Sequence, residues 1–185
     1  MRNCFLISIT ILLLISFFSC SSLKFSKSKG DIPNWFLEVP QDSNYIYAAN
    51  TATSRDLQLA IDKAAVGARA EIARIVELKL ENLQKNMVEE VSASDSSEIL
   101  QQFESTTKTV VSIVLSGTRI EKQTMDKNDG VYRAYVLVSY PIGEMNKSFV
   151  EKFKQSENLY TRFRASEAFK ELEKEIEEYE KLKKK

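Results

Sequence analysis

The chain has 185 residues, with 26 Lys plus Arg balancing 26 Asp plus Glu, and it has no histidine. The missing histidine excludes Ser-His-Asp and Cys-His catalysis, a His general base and His-ligated metals. The neutral balance argues against a nucleic-acid binder, which needs a basic surface to displace counterions.

The first segment reads as an address. Phe5 to Phe18 is an apolar run interrupted only by Ser8, Thr10 and Ser16. It fits a signal-peptide core and falls short of the roughly 20 residues that a spanning helix needs. Phe17-Phe18-Ser19-Cys20 resembles a bacterial lipobox, in which a small residue precedes a cysteine that is lipidated and becomes the new N-terminus. This predicts a lipoprotein signal over 1–19 and lipid attachment at Cys20. Cys4 lies inside the signal, so Cys20 is the sole cysteine of the processed chain and has no internal disulfide partner. Two or three acyl chains, at about 0.8 kcal/mol per buried methylene, anchor stably. Ser21 rather than Asp follows the cysteine. By resemblance to bacterial sorting rules this favours the outer membrane, with the periplasmic and surface faces both open. Residues 20–31 form a Ser/Lys-rich tether. Ten such residues span about 17 Å as a flexible coil.

Residues 32–154 read as one domain. Pro33-Asn34-Trp35-Phe36 and Val39-Pro40 make an irregular lead-in that pins an aromatic pair onto it. Tyr45-Ile46-Tyr47-Ala48-Ala49 reads as a strand. Thr53 or Ser54 is expected to cap a helix, with Asp56 in its first turn. Leu57, Ala60, Ile61, Ala64, Ala68, Ile72 and Ile75 recur at steps of three and four, the signature of one helical face. The row Ala60, Ala64, Ala68 is small and lets the helix lie close on a sheet. Arg69 and Asp62 read as solvated side chains in preference to a functional pair. The period continues through Val76, Leu80, Leu83, Met87 and Val91, predicting one helix over 55–91. Yet Val76-Glu77-Leu78-Lys79-Leu80-Glu81 also alternates as a half-buried strand does.

Ser92-Ala93-Ser94-Asp95-Ser96-Ser97 reads as a loop. Ile99, Leu100, Phe103, Thr107, Val110, Val111 and Val114 mark a second helix, which Gly117 is placed to end. Residues 118–127 alternate. Asn128-Asp129-Gly130 is a hairpin turn signal, and Val131 to Tyr140 is the strongest strand in the chain. A short helix follows over 142–154. Residues 155–185 form an amphipathic, charged C-terminal helix. Phe169, Leu172, Ile176 and Tyr179 make its apolar stripe, with Glu177-Lys181 and Glu180-Lys184 spaced for ion pairs. The stripe is a candidate partner contact. Docking on its own domain, with the final lysines fraying, is the expectation preferred.

Several pieces in this order resemble the LPP-twenty lipoprotein family. They are Tyr45-Ile46-Tyr47, Thr51-Ala52-Thr53-Ser54-Arg55-Asp56-Leu57-Gln58-Leu59-Ala60 and Ala68-Arg69-Ala70-Glu71-Ile72-Ala73. Leu115-Ser116-Gly117-Thr118, Tyr132-Arg133-Ala134-Tyr135-Val136-Leu137 and Leu159 to Phe169 complete the set. Ala49-Asn50 departs from it, standing where members often have a glycine. The resemblance implies an α+β fold, an antiparallel sheet with helices packed on it. It also implies a strand starting near Glu77, and so the order strand, helix, strand, helix, hairpin, helix. Members are small outer-membrane lipoproteins, similar to an N-terminal domain of a flagellar assembly protein, without known enzymatic activity.

The expected function is therefore non-enzymatic: protein–protein contact in the cell envelope, in assembly or scaffolding, with no cofactor and no metal. The alternative is a small-ligand or lipid carrier with an apolar groove between helix and sheet. Glu89-Glu90, Asp126 and Asp129 supply carboxylates for a hydrolase, but read better as solvated surface.

Overall fold

The computed structural model describes residues 32–91 and 97–184. The signal segment, the tether, Cys20 and the serine-rich loop over 92–96 lie outside the described residues.

The fold is α+β. Its elements are α1 (Asn34–Leu37), β1 (Tyr45–Ser54), α2 (Leu57–Val91), α3 (Ser97–Gly117), β2 (Arg119–Asn128), β3 (Val131–Pro141), α4 (Ile142–Lys154), α5 (Glu157–Phe163) and α6 (Glu167–Lys183). One antiparallel sheet runs in the order β1-β3-β2. The hairpin turn has Asp129 at φ 47° and Gly130 at φ 75°. Two consecutive positive φ values make a primed turn, whose twist matches that of the strands it joins. Central strand β3 is buried from Ala134 to Tyr140 on both faces.

The region after Val76 corrects the strand expected near Glu77. α2 is one unbroken helix of 35 residues, about 52 Å long. The helical period decides: Ile72, Val76, Leu80 and Met87 are all buried, whereas Leu78, which alternation would bury with them, is exposed. The helix start differs too. β1 continues to Ser54, and Asp56 is the cap: its Oδ1 accepts from the Leu59 amide at 2.7 Å.

α2 lies across β1 and β3. Ala60, Ala64, Ala65 and Ala68 are buried there with Ile46, Ala48, Ala134, Val136 and Val138. Gly67 marks the close approach, since a Cβ at that position would sit 2.7 Å from the Asn50 side chain. The helices pack a second region around five fully buried phenylalanines, Phe103, Phe149, Phe153, Phe163 and Phe169.

The C-terminal segment is two helices instead of one. α5 ends at Phe163, and Ser166 starts α6 by accepting from the Phe169 amide at 3.2 Å. The Glu90 carboxylate, near the far end of α2, also accepts from the Glu167 amide at 2.7 Å. A side chain remote in sequence thus caps the last helix and complements its dipole.

Candidate functional site

The stripe of α6 faces its own domain. Phe169 and Leu172 are buried in the common core, and Ile176 packs against that core. Tyr179 closes over Gly143 of α4 so tightly that any Cβ at residue 143 would overlap its ring. The Tyr179 hydroxyl donates to Glu144 Oε1 at 3.0 Å, and Lys183 Nζ donates to the same oxygen at 3.0 Å. Lys147 pairs with Glu180 and Lys154 with Glu173 along the same seam. The last turn, whose lysines were expected to fray, is exposed and carries this one Lys183–Glu144 ion pair. Asn146, buried on α4, donates its amide to Glu175 at 2.7 Å.

Beside this seam a cleft of ≈ 630 Å³ opens on the sheet face away from α2. Tyr45 and Tyr47 of β1, Arg119 and Glu121 of β2, and Glu144 of α4 line it, with Tyr179 at its rim. Partial burial and its hydrogen bond to Glu144 push the Tyr179 hydroxyl up to about 12. Lys183, with help from Tyr179, holds the Glu144 carboxyl below the usual carboxylate range. Burial first, then the Asp42 and Glu121 charges, raises Tyr47. These shifts stabilise the resting forms, a neutral phenol and an ionised carboxylate. They prepare no group to exchange a proton near neutrality.

The carboxylates weighed for hydrolysis are dispersed. Glu90 caps α6, Asp126 lies on β2, and Asp129 sits in the hairpin turn. Asp62 accepts from Gln58 and Arg69 donates to Thr118, so the two do not pair. Among the described residues, no group of three or more His, Cys, Asp or Glu is placed to hold a metal ion.

The feature that the sequence conceals is β2. Its alternation predicts one buried face, yet nine of its ten residues are exposed and the tenth, Asp126, is half-buried. α2 packs mainly on β1 and β3. Ile120 and Met125, on the α2 side, are therefore left in solvent at 44% and 43% exposure. Among the described residues β2 hydrogen-bonds to β3 on one side only, so its other edge presents a row of open backbone donors and acceptors. A register shift between Ile120 and Lys122 places a bulge at Glu121, whose carboxylate accepts from the Ser139 hydroxyl at 2.6 Å. The aromatic lead-in covers part of the same outer face: the Phe36 ring meets Tyr135 edge-on at 5.0 Å.

Among known proteins, no family model matches the chain and no curated protein matches it.

Proposed function

We propose that this protein is an outer-membrane lipoprotein, anchored through a lipidated Cys20, that works by protein–protein contact in the cell envelope and not by catalysis. The observation that carries the contact reading is β2. A ten-residue strand with an open edge and two exposed apolar side chains is a template for strand addition. The anchor reading rests on the lipobox-like Phe17-Phe18-Ser19-Cys20, and the resemblance to LPP-twenty lipoproteins supports both.

Two measurements test it. Cys20→Ala is expected to abolish palmitate labelling and move the protein out of the detergent phase; unchanged labelling defeats the anchor. A photo-crosslinker at Thr124 is expected to form protein adducts in intact cells. One at Lys63, exposed on α2, is the control. Equal or absent adducts at the two positions remove β2 as a contact surface.

One observation bears on the carrier reading. The groove expected under Ala60, Ala64 and Ala68 is closed, because all three are fully buried. A concavity of ≈ 640 Å³ does lie beside β1, lined by the apolar Val39, Ala49 and Ile75 but also by Asn50 and the Glu71–Arg74 ion pair. Uptake of a fluorescent fatty acid, lost on Ala49→Trp, would shift the reading toward it.

A further inference from the structure

We infer that the occupant of the β2 edge is the β2 edge of a second copy of this chain, joined antiparallel about a two-fold axis through Thr124. This rests on the reading of β2 as a contact surface and names its partner.

The charges of β2 carry the inference. In that register Lys122 faces the partner's Asp126, and Asp126 faces the partner's Lys122. The axis makes each pair occur twice. The neighbouring registers fail. A shift of one residue sets Glu121 against Asp126, or Lys122 against Lys127. A shift of two sets Lys122, or Asp126, against the partner's Thr124 and loses both Lys122–Asp126 pairs. Like charges directly opposite one another on paired strands are destabilising, and opposite charges favourable. A lysine on a free edge ordinarily blocks strand addition; here its position selects one register.

The two faces of β2 agree with this placement. Gln123 and Met125 pair with Val136 and Ala134, so they point to the α2 side. Gln123 then meets the partner's Met125, and the two Met125 side chains lie on the diagonal, within reach of long side chains. Lys122, Thr124 and Asp126 pair with Leu137, Tyr135 and Arg133, so the salt bridges fall on the outer face. Met125, left in solvent by the single chain, acquires a neighbour. The product is a continuous six-stranded sheet in which neither β2 edge remains open.

The test is a cysteine on the axis. Directly opposed Cα atoms on antiparallel strands lie about 4.5–5.5 Å apart, within the range of about 4.4–6.8 Å that a disulfide spans. Full-length Thr124→Cys in detergent is expected to give an oxidised dimer on a non-reducing gel, above the level of the parent chain. Thr53→Cys on β1 is expected to give no such increase. Adding Lys122→Glu is expected to weaken dimerisation about tenfold, and adding Asp126→Lys to that variant is expected to restore it. Unchanged melting curves verify that the variants fold. No increase at Thr124, or a dimer indifferent to Lys122→Glu, overturns the inference. In cells, a Thr124 photo-adduct with a different protein overturns self-pairing and leaves the contact reading standing. The absence of any adduct removes both.

Discussion

The two ends of the core are built on opposite principles. Where α2 crosses the sheet, the contact is made by Ala60, Ala64, Ala65, Ala68 and Gly67, and the backbones come close. Where the helices meet one another, the space is filled by volume. The Phe153 ring lies 5.4 Å from Phe103, 5.3 Å from Phe149 and 5.5 Å from Phe169. The sheet end has no room for an added carbon, and the helical end cannot lose one without opening a void. Packing density is alike in both, so each is sensitive, but to changes of opposite sign.

Phe153→Ala is the hardest blow to this contrast. It removes the ring shared by most of the cluster and is expected to cost about 3–5 kcal/mol in a denaturant melt. A loss below about 1 kcal/mol would show that the helical end is loosely filled. Ala64→Leu probes the other end, with an expected cost of about 1–3 kcal/mol from overpacking. If the melt is unchanged, the Ala row is not the close contact described. Glu90→Ala separates capping from packing at the helical end. It should cost about 0.5–2 kcal/mol and speed amide exchange at Glu167 and Ala168, while leaving the sheet amides protected. Uniform loss of protection would mean that the two ends unfold as one.

The α4–α6 seam adds a dependence on pH. Tyr179 titrates at about 12 in the folded chain, against an ordinary 10.0. The folded state holds that proton more tightly, so its contribution is complete below pH 10 and is lost as the pH rises through about 12. Alkaline titration followed by tyrosinate absorbance should show, among the late phenols, one near 12 that Tyr179→Phe removes. Removal of residues after Lys181 should have the smallest effect, at most about 1 kcal/mol, because what it deletes is exposed: the Lys183–Glu144 pair, the Lys183 contact over the Tyr179 ring and the Leu182 side chain. A larger loss would show that the end of α6 belongs to the core.

What was legible in the sequence followed its range of interaction. Asn128-Asp129-Gly130 gave the hairpin, because a primed turn depends on local backbone freedom alone. The period through Val76, Leu80 and Met87 gave the whole of α2. The strand at Glu77 came from family resemblance, and the structure sided with the period. The continuous charge of 155–185 hid the break before Ser166, whose capping role the structure shows. The β2 edge was not readable. An alternating strand looks half-buried whether or not a helix covers it, and coverage depends on where α2 packs. Glu90 was equally opaque, since its target lies 77 residues away.

That span bears on the order in which the chain is made. A ribosome releases α2 well before α6, so the far half of the long helix emerges without the helix it caps. Phe153 and Phe163 likewise leave the ribosome before Phe169, the ring that completes their cluster. A chain stopped short of Glu167 keeps these aromatic rings open to solvent, the kind of surface that chaperones and proteases recognise. Burial of the last helix is thus what separates the closed aromatic cluster of the finished chain from the open one of a fragment.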